Sequence, residues 1–495
     1  MREKKMPSLA LALTPVLAML LLMGVGSIWL GLPAEPMVIL AAVIGGVIAI
    51  ALGYTYDDIM RTVAEKIAKV MPALLILVTV GLMIGAWMAG GTIPMLIYYG
   101  LEIVSPQFLY ITALVVTSVV AICTGTSWGS AGTIGVAFMG VALGMDGVNL
   151  GIVAGAVVSG AYFGDKLSPL SDTTNLAAAV TQVPLYTHIR HLLFTTVPSW
   201  IAAAVVMLVA GFGIQTGGAS GSEKVAAING ALSSGFTWNP LLLLPVVIVL
   251  FGSMKKLPTI PVMLTSSAVA MINAVAFQRI SIADTFSSLV GGFHIDMLGS
   301  GFDGGSAVDD VGTLLNRGGM SGMMGTLLIA FCAITFAGVI AVTRSLDLIV
   351  AKLLTLATST GSVILTTIAV GLLTIGTTCN GQISILMPAE LMREAYIRRG
   401  LHPKNLGRTV EDSATIIEPI LPWTAAGAYM AATLGVATMT YLPWATLCWT
   451  GIIFATIWGF TGLGIAKLTP QEQADMLAEI DRERNAAAAP VAATP

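Results

Sequence analysis

The stretch "SGAYFGDKLSPLSDTTNLAAAV", Ser159–Val180, decides how the chain is read. It begins with the small and apolar residues of a membrane span, yet Asp165, Lys166 and Asp172 sit in its middle, beside Pro169 and a row of Ser, Thr and Asn. Charged side chains are costly in hydrocarbon, and proline removes a backbone hydrogen bond from a helix. The segment therefore reads as a span broken within the membrane. Unwound backbone at that depth survives only where it is buried in protein or lines a wet cavity.

The rest of the chain agrees. Of its 495 residues 56% are hydrophobic and 10% charged, against about 25% charged in soluble domains. Apolar runs of spanning length recur at 8–30, 36–53, 70–90, 150–180, 192–212, 239–254, 259–277, 320–342, 409–436 and 440–466. Runs of this length predict helices rather than barrel strands, hence an all-α polytopic membrane protein. The first run follows "MREKK", is long enough to span and lacks a cleavage site, so it reads as a retained span rather than a signal peptide. The four cysteines lie in apolar segments without metal-ligand spacing, and no basic patch suggests nucleic acid.

Two apolar stretches, 107–145 and 361–391, are too long for one span, and each is interrupted by a polar cluster: "CTGTSWGSAGT" (Cys123–Thr133) and "GTTCNGQIS" (Gly376–Ser384). The positive-inside rule places "MREKK" and 61–69, which flank an out-and-back pair of spans, on the cytoplasmic side, and reading both stretches as re-entrant hairpins keeps the cation-rich segment 392–408 there as well. The expected topology is about ten transmembrane helices plus two hairpins, with both termini cytoplasmic. Residues 1–212 then form one half and 239–466 the other, joined by an external linker at 213–238, with 467–495 as a cytoplasmic tail.

The halves echo each other. "GTSWGS" from Gly125 answers "GTTCNG" from Gly376, "GDKLSPLSDTTN" (Gly164–Asn175) answers "EDSATIIEPILPWT" (Glu411–Thr424), and 85–99 loosely answers 337–350. Each half holds five spans, an odd number, so the repeats have opposite orientation. The loop 280–318, with Asp296, Asp303, Asp309 and Asp310, reads as solvated and external, or alternatively as a cation site.

Inverted repeats with broken helices place transporter sites near the midplane. The candidate residues are Thr126 and Ser127 at one hairpin tip and Thr377, Thr378 and Asn380 at the other. The broken spans add Asp165, Asp172, Thr173, Thr174 and Asn175, and Glu411, Asp412 and Glu418. A carboxylate in a dry site holds a proton or a cation in turn, but not readily both, and that competition is a minimal exchange mechanism. Several residues keep two readings. Asp165 could pair with Lys166, Asp172 could cap the helix after it, and Thr173, Thr174 and Asn175 could satisfy freed backbone. Either Glu411 or Asp412 could face the cytoplasm. Trp128, Trp423 and His191 read as packing or interface residues.

At these motifs the chain resembles the NhaC-type sodium/proton antiporter family of the ion-transporter superfamily. "GAYFGDKLSPLSDTTNLA", "GTSWG" and "HPKNLGRTVEDS…PILPW" (His402–Trp423) carry the resemblance, which covers roughly residues 8–466. It implies exchange of Na⁺ for H⁺, or in some relatives of organic acids such as malate for lactate. It also implies a transport domain of hairpins and broken helices, moving against a scaffold in a homodimer. The motif match puts Asp165, Ser168, Asp172, Thr173, Thr174 and Asn175 in one half-site, and Asn380, Glu411, Asp412 and Ser413 in the other. Relatives tend to have a small hydroxyl residue at Glu418 and Asn at Thr424. The added carboxylate favours a cationic substrate.

The resulting expectation is an inner-membrane Na⁺/H⁺ antiporter working by alternating access. Its Na⁺ ligands would be Asp165, Asn175 and Asp412, and it would hold no cofactor beyond the transported ion. The alternative is an antiporter of a small organic solute. A channel would need a continuous polar pore, and neither HExxH nor a Ser/His dyad points to an enzyme.

Overall fold

The computed structural model describes residues 4–30, 32–214, 219–299, 308–316, 318–355 and 357–488. The protein is all-helical. Among the described residues nine helices are long and apolar enough to cross a membrane, or ten with the bent pair Val225–Gly235 and Pro240–Met254, which meet at 103°. This is a multi-pass membrane protein, and its outward faces carry the large apolar side chains that lipid requires, such as Leu20, Val47 and Val209.

Both long apolar stretches are helix–break–helix units. Pro106–Thr124 is followed by Ser127–Ser130, which continues through a wider-wound turn, Ala131–Gly135, into Val136–Leu143. Thr360–Thr378 is followed by Gly381–Arg398, and these two arms pack together. The two interrupted spans are discontinuous. The first is Leu150–Leu167 and Asp172–Val180, separated by residues 168–171 around Pro169. The second runs Lys404–Val410, a wide turn Glu411–Thr415, a short turn Glu418–Ile420 and then Ala425–Leu434. Pro419 and Pro422 remove the donors a continuous helix would need there.

Three breaks recur along the chain. Gly91 (φ 79°) separates Tyr56–Ala89 from Thr92–Ile103, and Arg344 (φ 54°) separates Met324–Val342 from Ser345–Leu354. Gly125 (φ 69°) and Cys379 (φ 55°) close the first arms of the two hairpins. Ser171 and Thr424 cap the helices after the broken segments, accepting from the N–H of Thr174 and Gly427. The offset along the chain is the same at all three to within one residue. The sequence pairing of Gly125 with Gly376 is therefore three residues out. The matching residue is Cys379, a left-handed position without the glycine that usually marks one. Local bonding agrees, because Thr124 meets Ser130 at 3.2 Å and Thr378 meets Ser384 at 3.1 Å.

Some segments expected as loops are ordered. Residues 91–106 hold the apolar helix Thr92–Ile103. The 213–238 linker contains the helix Ala219–Gly235, whose Ile228, Ala231 and Leu232 are buried in the core beside it. The 280–318 segment contains Ile282–Gly291 and Val308–Leu315, and Asp303 lies outside the described residues. Instead of standing off in solvent, the segment seats on Tyr56–Ala89, with the Gly319 N–H donating to the Gly81 carbonyl at 2.8 Å. A Cβ at Gly85 would lie 2.1 Å from the Ser288 carbonyl, so only glycine permits that approach.

A second glycine seam positions the site. Gly160 and Gly164, one turn apart on Leu150–Leu167, face Pro106–Thr124. A Cβ on Gly160 would lie 2.5 Å from the Leu114 carbonyl, and one on Gly164 would lie 2.4 Å from that of Ser118. Small residues spaced in this way let membrane helices approach backbone to backbone. The contact brings the first hairpin tip onto Asp165.

Candidate functional site

A cavity of about 650 Å³ opens where the hairpin tips and broken helices converge. Its wall includes Thr126, Ser127, Asp165, Asp172, Thr173, Asn175, Asn380, Glu411 and Glu418, residues far apart in sequence that were candidates from sequence alone. Asp165 is 7% exposed. Its Oδ2 accepts from the Ser127 hydroxyl at 2.8 Å, while its Oδ1 is buried without a hydrogen-bond partner. A buried carboxylate oxygen left bare is costly unless a proton or cation completes it.

Glu418 occupies the corresponding place in the other broken helix. Asp165 stands as many residues before the cap Ser171 as Glu418 does before Thr424, and Pro169 aligns with Pro422. The Glu418 carboxylate faces the backbone N–H groups of Gly381 and Ala426, at the starts of the second hairpin arm and of Ala425–Leu434. Partial positive charge at helix N-termini favours an anionic group there. Each carboxylate thus meets the first helical residue beyond a hairpin tip, Ser127 or Gly381. Gly381 has no room for a side chain, since a Cβ would lie 2.6 Å from Glu418 Oε2.

The remaining candidates divide. Ser171 is the N-cap of this helix, and Asp172, its first residue, accepts from the Thr173 N–H through Oδ1 at 3.0 Å. Its exposed Oδ2 also accepts from Gln382 Nε2 at 3.3 Å, linking the first broken helix to the second hairpin. Asn175 donates from Nδ2 to the carbonyls of Pro169 (2.9 Å) and Ser171 (2.5 Å), and so holds the break together from the cavity wall. Thr173 shares a hydrogen bond with Ser171 at 3.0 Å. Thr126 and Asn380 line the cavity and also cap the second hairpin arms, accepting from Gly129 N–H and Ile383 N–H.

Five candidates lie behind the wall. Ser168 donates to the Ile122 carbonyl at 2.7 Å and Thr174 to that of Lys166 at 3.1 Å, both satisfying backbone at the break. Ser413 and Thr377 donate to carbonyls one turn back, and Thr378 bonds Ser384. Thr377 and Thr378 border a separate space of about 130 Å³ beside Lys66.

Asp412 is placed differently from the expected Na⁺ ligand. It is fully buried and forms an ion pair with Lys166, and the Thr195 hydroxyl adds a bond at 3.1 Å. Lys166 therefore neither pairs with Asp165 nor reaches to an interface. Glu411 stays within the protein, 1% exposed, with Oε2 accepting from Thr415 at 3.1 Å.

Sequence reasoning missed Ser171, Gln382 and Tyr162, which line the cavity, and His188, which lies 3.5 Å from Glu411. The caps of both broken helices follow a proline by two residues, a signal that was available for Ser171. Trp128, read as a packing residue, does stack on Tyr429 with centroids 4.3 Å apart, but it also reaches the cavity.

The sequence profile of the Na⁺/H⁺ antiporter family matches residues 160–463, which carry the first broken helix from Gly160 onward, the second hairpin and the second broken helix. The chain belongs to the Na⁺/H⁺ antiporter family. It is 59% identical over 464 residues, 94% of this chain and 98% of the relative, to a Haemophilus influenzae protein described as an uncharacterized Na⁺/H⁺ antiporter. A malate-2H⁺/Na⁺-lactate antiporter of Bacillus subtilis is 34% identical over 93% of this chain and 96% of its own. The Na⁺/H⁺ antiporter NhaC of Alkalihalophilus pseudofirmus is 34% identical over 88% and 91%. The resemblance read from the signature around Asp165 is thereby established across nearly the whole chain. Membership marks the protein as a transporter rather than an enzyme.

Proposed function

We propose that this antiporter exchanges Na⁺ for H⁺ across the inner membrane by alternating access, with both termini cytoplasmic and the two halves inverted with respect to one another. One observation carries the reading: Asp165, buried on the cavity wall, keeps one carboxylate oxygen bonded to Ser127 and the other bare. A proton or Na⁺ on that oxygen neutralises the carboxylate, and each displaces the other. Thr126, Thr173 and Asn175 line the same cavity and offer hydroxyl, amide and backbone oxygens of the kind hard cations prefer. Glu418 supplies the equivalent group opposite, and Asp412 acts through Lys166. The only guest in this reading is the transported ion.

The size of the cavity favours keeping one alternative. At roughly 30 Å³ per water, about 650 Å³ accommodates far more than a partly hydrated Na⁺, and a small organic solute would fit. Asp165, Asp172, Glu411 and Glu418 line the cavity, but so do Lys69, Lys166 and Lys256, so the charge of the wall does not by itself exclude a carboxylate solute.

The test is dye-monitored collapse of an imposed pH gradient in proteoliposomes, with Na⁺, Li⁺, K⁺, malate, lactate and amino acids added separately. Na⁺ is expected to collapse the gradient with the wild type and to lose at least tenfold in rate with Asp165→Asn. Silence with every cation and a response to an organic solute would transfer the function to the alternative.

A further inference from the structure

Behind the cavity wall lies a second acid–base pair that the exchange at Asp165 does not use. His188, on Leu185–Phe212, is completely buried, and neither of its ring nitrogens has a hydrogen-bond partner. Its Nε2 lies 3.5 Å from Glu411 Oε1, a buried carboxylate oxygen that is also without a hydrogen bond. Gly407 closes over the ring, where a Cβ would lie 2.8 Å from His188 Cε1. Glu411 belongs to the wide turn Glu411–Thr415 and lines the cavity, so the pair connects the cavity to an imidazole outside it.

The surrounding charges are only partly engaged: Arg408 Nε and Nη2, Asp412 Oδ2 and Asp165 Oδ1 are buried without hydrogen-bond partners. Lys166 and Asp412 neutralise each other. Arg408 donates through Nη1 to the Gly464 carbonyl and adds a positive field at Asp412. His191, one turn along from His188, bonds Asn405 Oδ1 at 3.0 Å. Lys404 and Arg408 act on that side, and Asp165 faces Glu411 from the cavity.

A carboxyl and an imidazole in this setting share one proton comfortably. With none, a bare buried carboxylate remains. With two, a buried imidazolium has no counter-ion, and either state is costly in a dry interior. We propose that His188 and Glu411 form a proton-binding site separate from Asp165, which takes up its proton from the cavity and returns it there through Glu411.

In the transfer, the O–H bond of a protonated Glu411 breaks as the proton forms an N–H bond on His188 Nε2. This leaves a carboxylate beside an imidazolium. The reverse step returns the proton to Glu411, which exchanges it with water in the cavity that it lines. The charges balance at each step, and no other reactant is needed. The proposal rests on the exchange reading for its role in transport, but the contact between the two side chains stands whatever the solute is.

The experiment uses the full chain with His188→Gln, Glu411→Gln and both changes together, checked for monodispersity in detergent. The first readout is the pH-difference infrared spectrum. Wild type is expected to show a carboxylic-acid band that disappears in Glu411→Gln and moves in its pH midpoint in His188→Gln. Should one variant fail to fold, the other still reports on the pair. The second readout is transport. Each single variant is expected to lose at least tenfold in Na⁺-driven proton flux and to shift its pH profile, with equilibrium ²²Na⁺ binding within about twofold of wild type. The double variant is expected to fall no further than the worse single one, as groups acting in series do. An infrared band and midpoint unchanged in His188→Gln would overturn the pair. So would wild-type flux with an unshifted pH profile, or a loss of Na⁺ binding equal to the loss of flux. A wild type that titrates the pair but moves no protons with Na⁺ would instead remove the exchange reading and leave the proton site standing.

Discussion

Replacing Lys166 by Met tests the electrostatics beneath the cavity floor. In the wild type the Lys166 side chain is 2% exposed and that of its partner Asp412 is 0% exposed, with Lys166 reaching the cavity wall. Removing one member of such a pair typically costs about 3–5 kcal/mol, because the remaining charge is buried without compensation. Two features moderate the loss here: the Thr195 hydroxyl on Asp412 Oδ1 and the positive field of Arg408. The expected loss for Lys166→Met is therefore near the lower bound, about 3 kcal/mol, which is more than a hundredfold in the folding equilibrium. Asp412→Leu strands the lysine and should lose a similar amount. The double variant puts two apolar side chains where the pair was, a change that is often neutral, and should return to within about 1–2 kcal/mol of wild type. Denaturing-detergent titration in mixed micelles, followed by tryptophan fluorescence, measures all four proteins. Losses that simply add, each below about 1 kcal/mol as for a solvated surface pair, would refute the dry, coupled pair.

Gly164→Ala should separate Leu150–Leu167 from Pro106–Thr124, since its Cβ would meet the Ser118 carbonyl at 2.4 Å and Ala121 Cβ at 2.5 Å. Overpacking of this kind costs about 1–3 kcal/mol, and loosening of the Ser127–Asp165 bond should raise the Na⁺ concentration for half-maximal exchange. Unaltered stability and affinity would mean the glycine seam does not position the tip. At the C-terminal end, Glu472 is held below the usual glutamate range by the Thr469 backbone N–H and then by its hydroxyl, against a smaller opposing effect of burial. Because its folded-state value is depressed, its contribution is present above the ordinary carboxylate range and disappears as pH falls through the depressed value. Hydrogen exchange in residues 470–482, corrected for the intrinsic rate, should accelerate over that acid window, and a flat response would remove the cap's role.

The breaks were legible because chemistry announces them. Pro169 and the hydroxyl row around it could not continue a helix in lipid, and the polar clusters at 123–133 and 376–384 could not sit in a plain span. The second tip was misplaced by three residues because Cys379 adopts a left-handed conformation with nothing in its side chain to signal it, while Gly376 lies inside a helix. Glu418 was visible as a deep acid, but Asp412 was not visible as a salt-bridge partner. Its lysine lies 246 residues earlier, and local sequence offers no trace of that pairing. His188 was hidden for a different reason. It sits beside Arg190 and His191 in a stretch that resembles a cytoplasmic flank, and only the fold buries it. The helix Ala219–Gly235 lacked a marked apolar stripe, so its Gly, Ser and Ala content read as linker.

The Lys166–Asp412 contact also limits the kinematics of the molecule. It fastens the first broken helix to the second near the depth where both unwind, and the Asp172–Gln382 bond ties the same helix to the opposite hairpin. A motion that widened this seam would have to break a buried ion pair and leave both charges uncompensated, which is costly. At its outer boundary the lining passes to Lys69, Val70, Ala73 and Ile76 of the long Tyr56–Ala89 helix, through mostly apolar side chains.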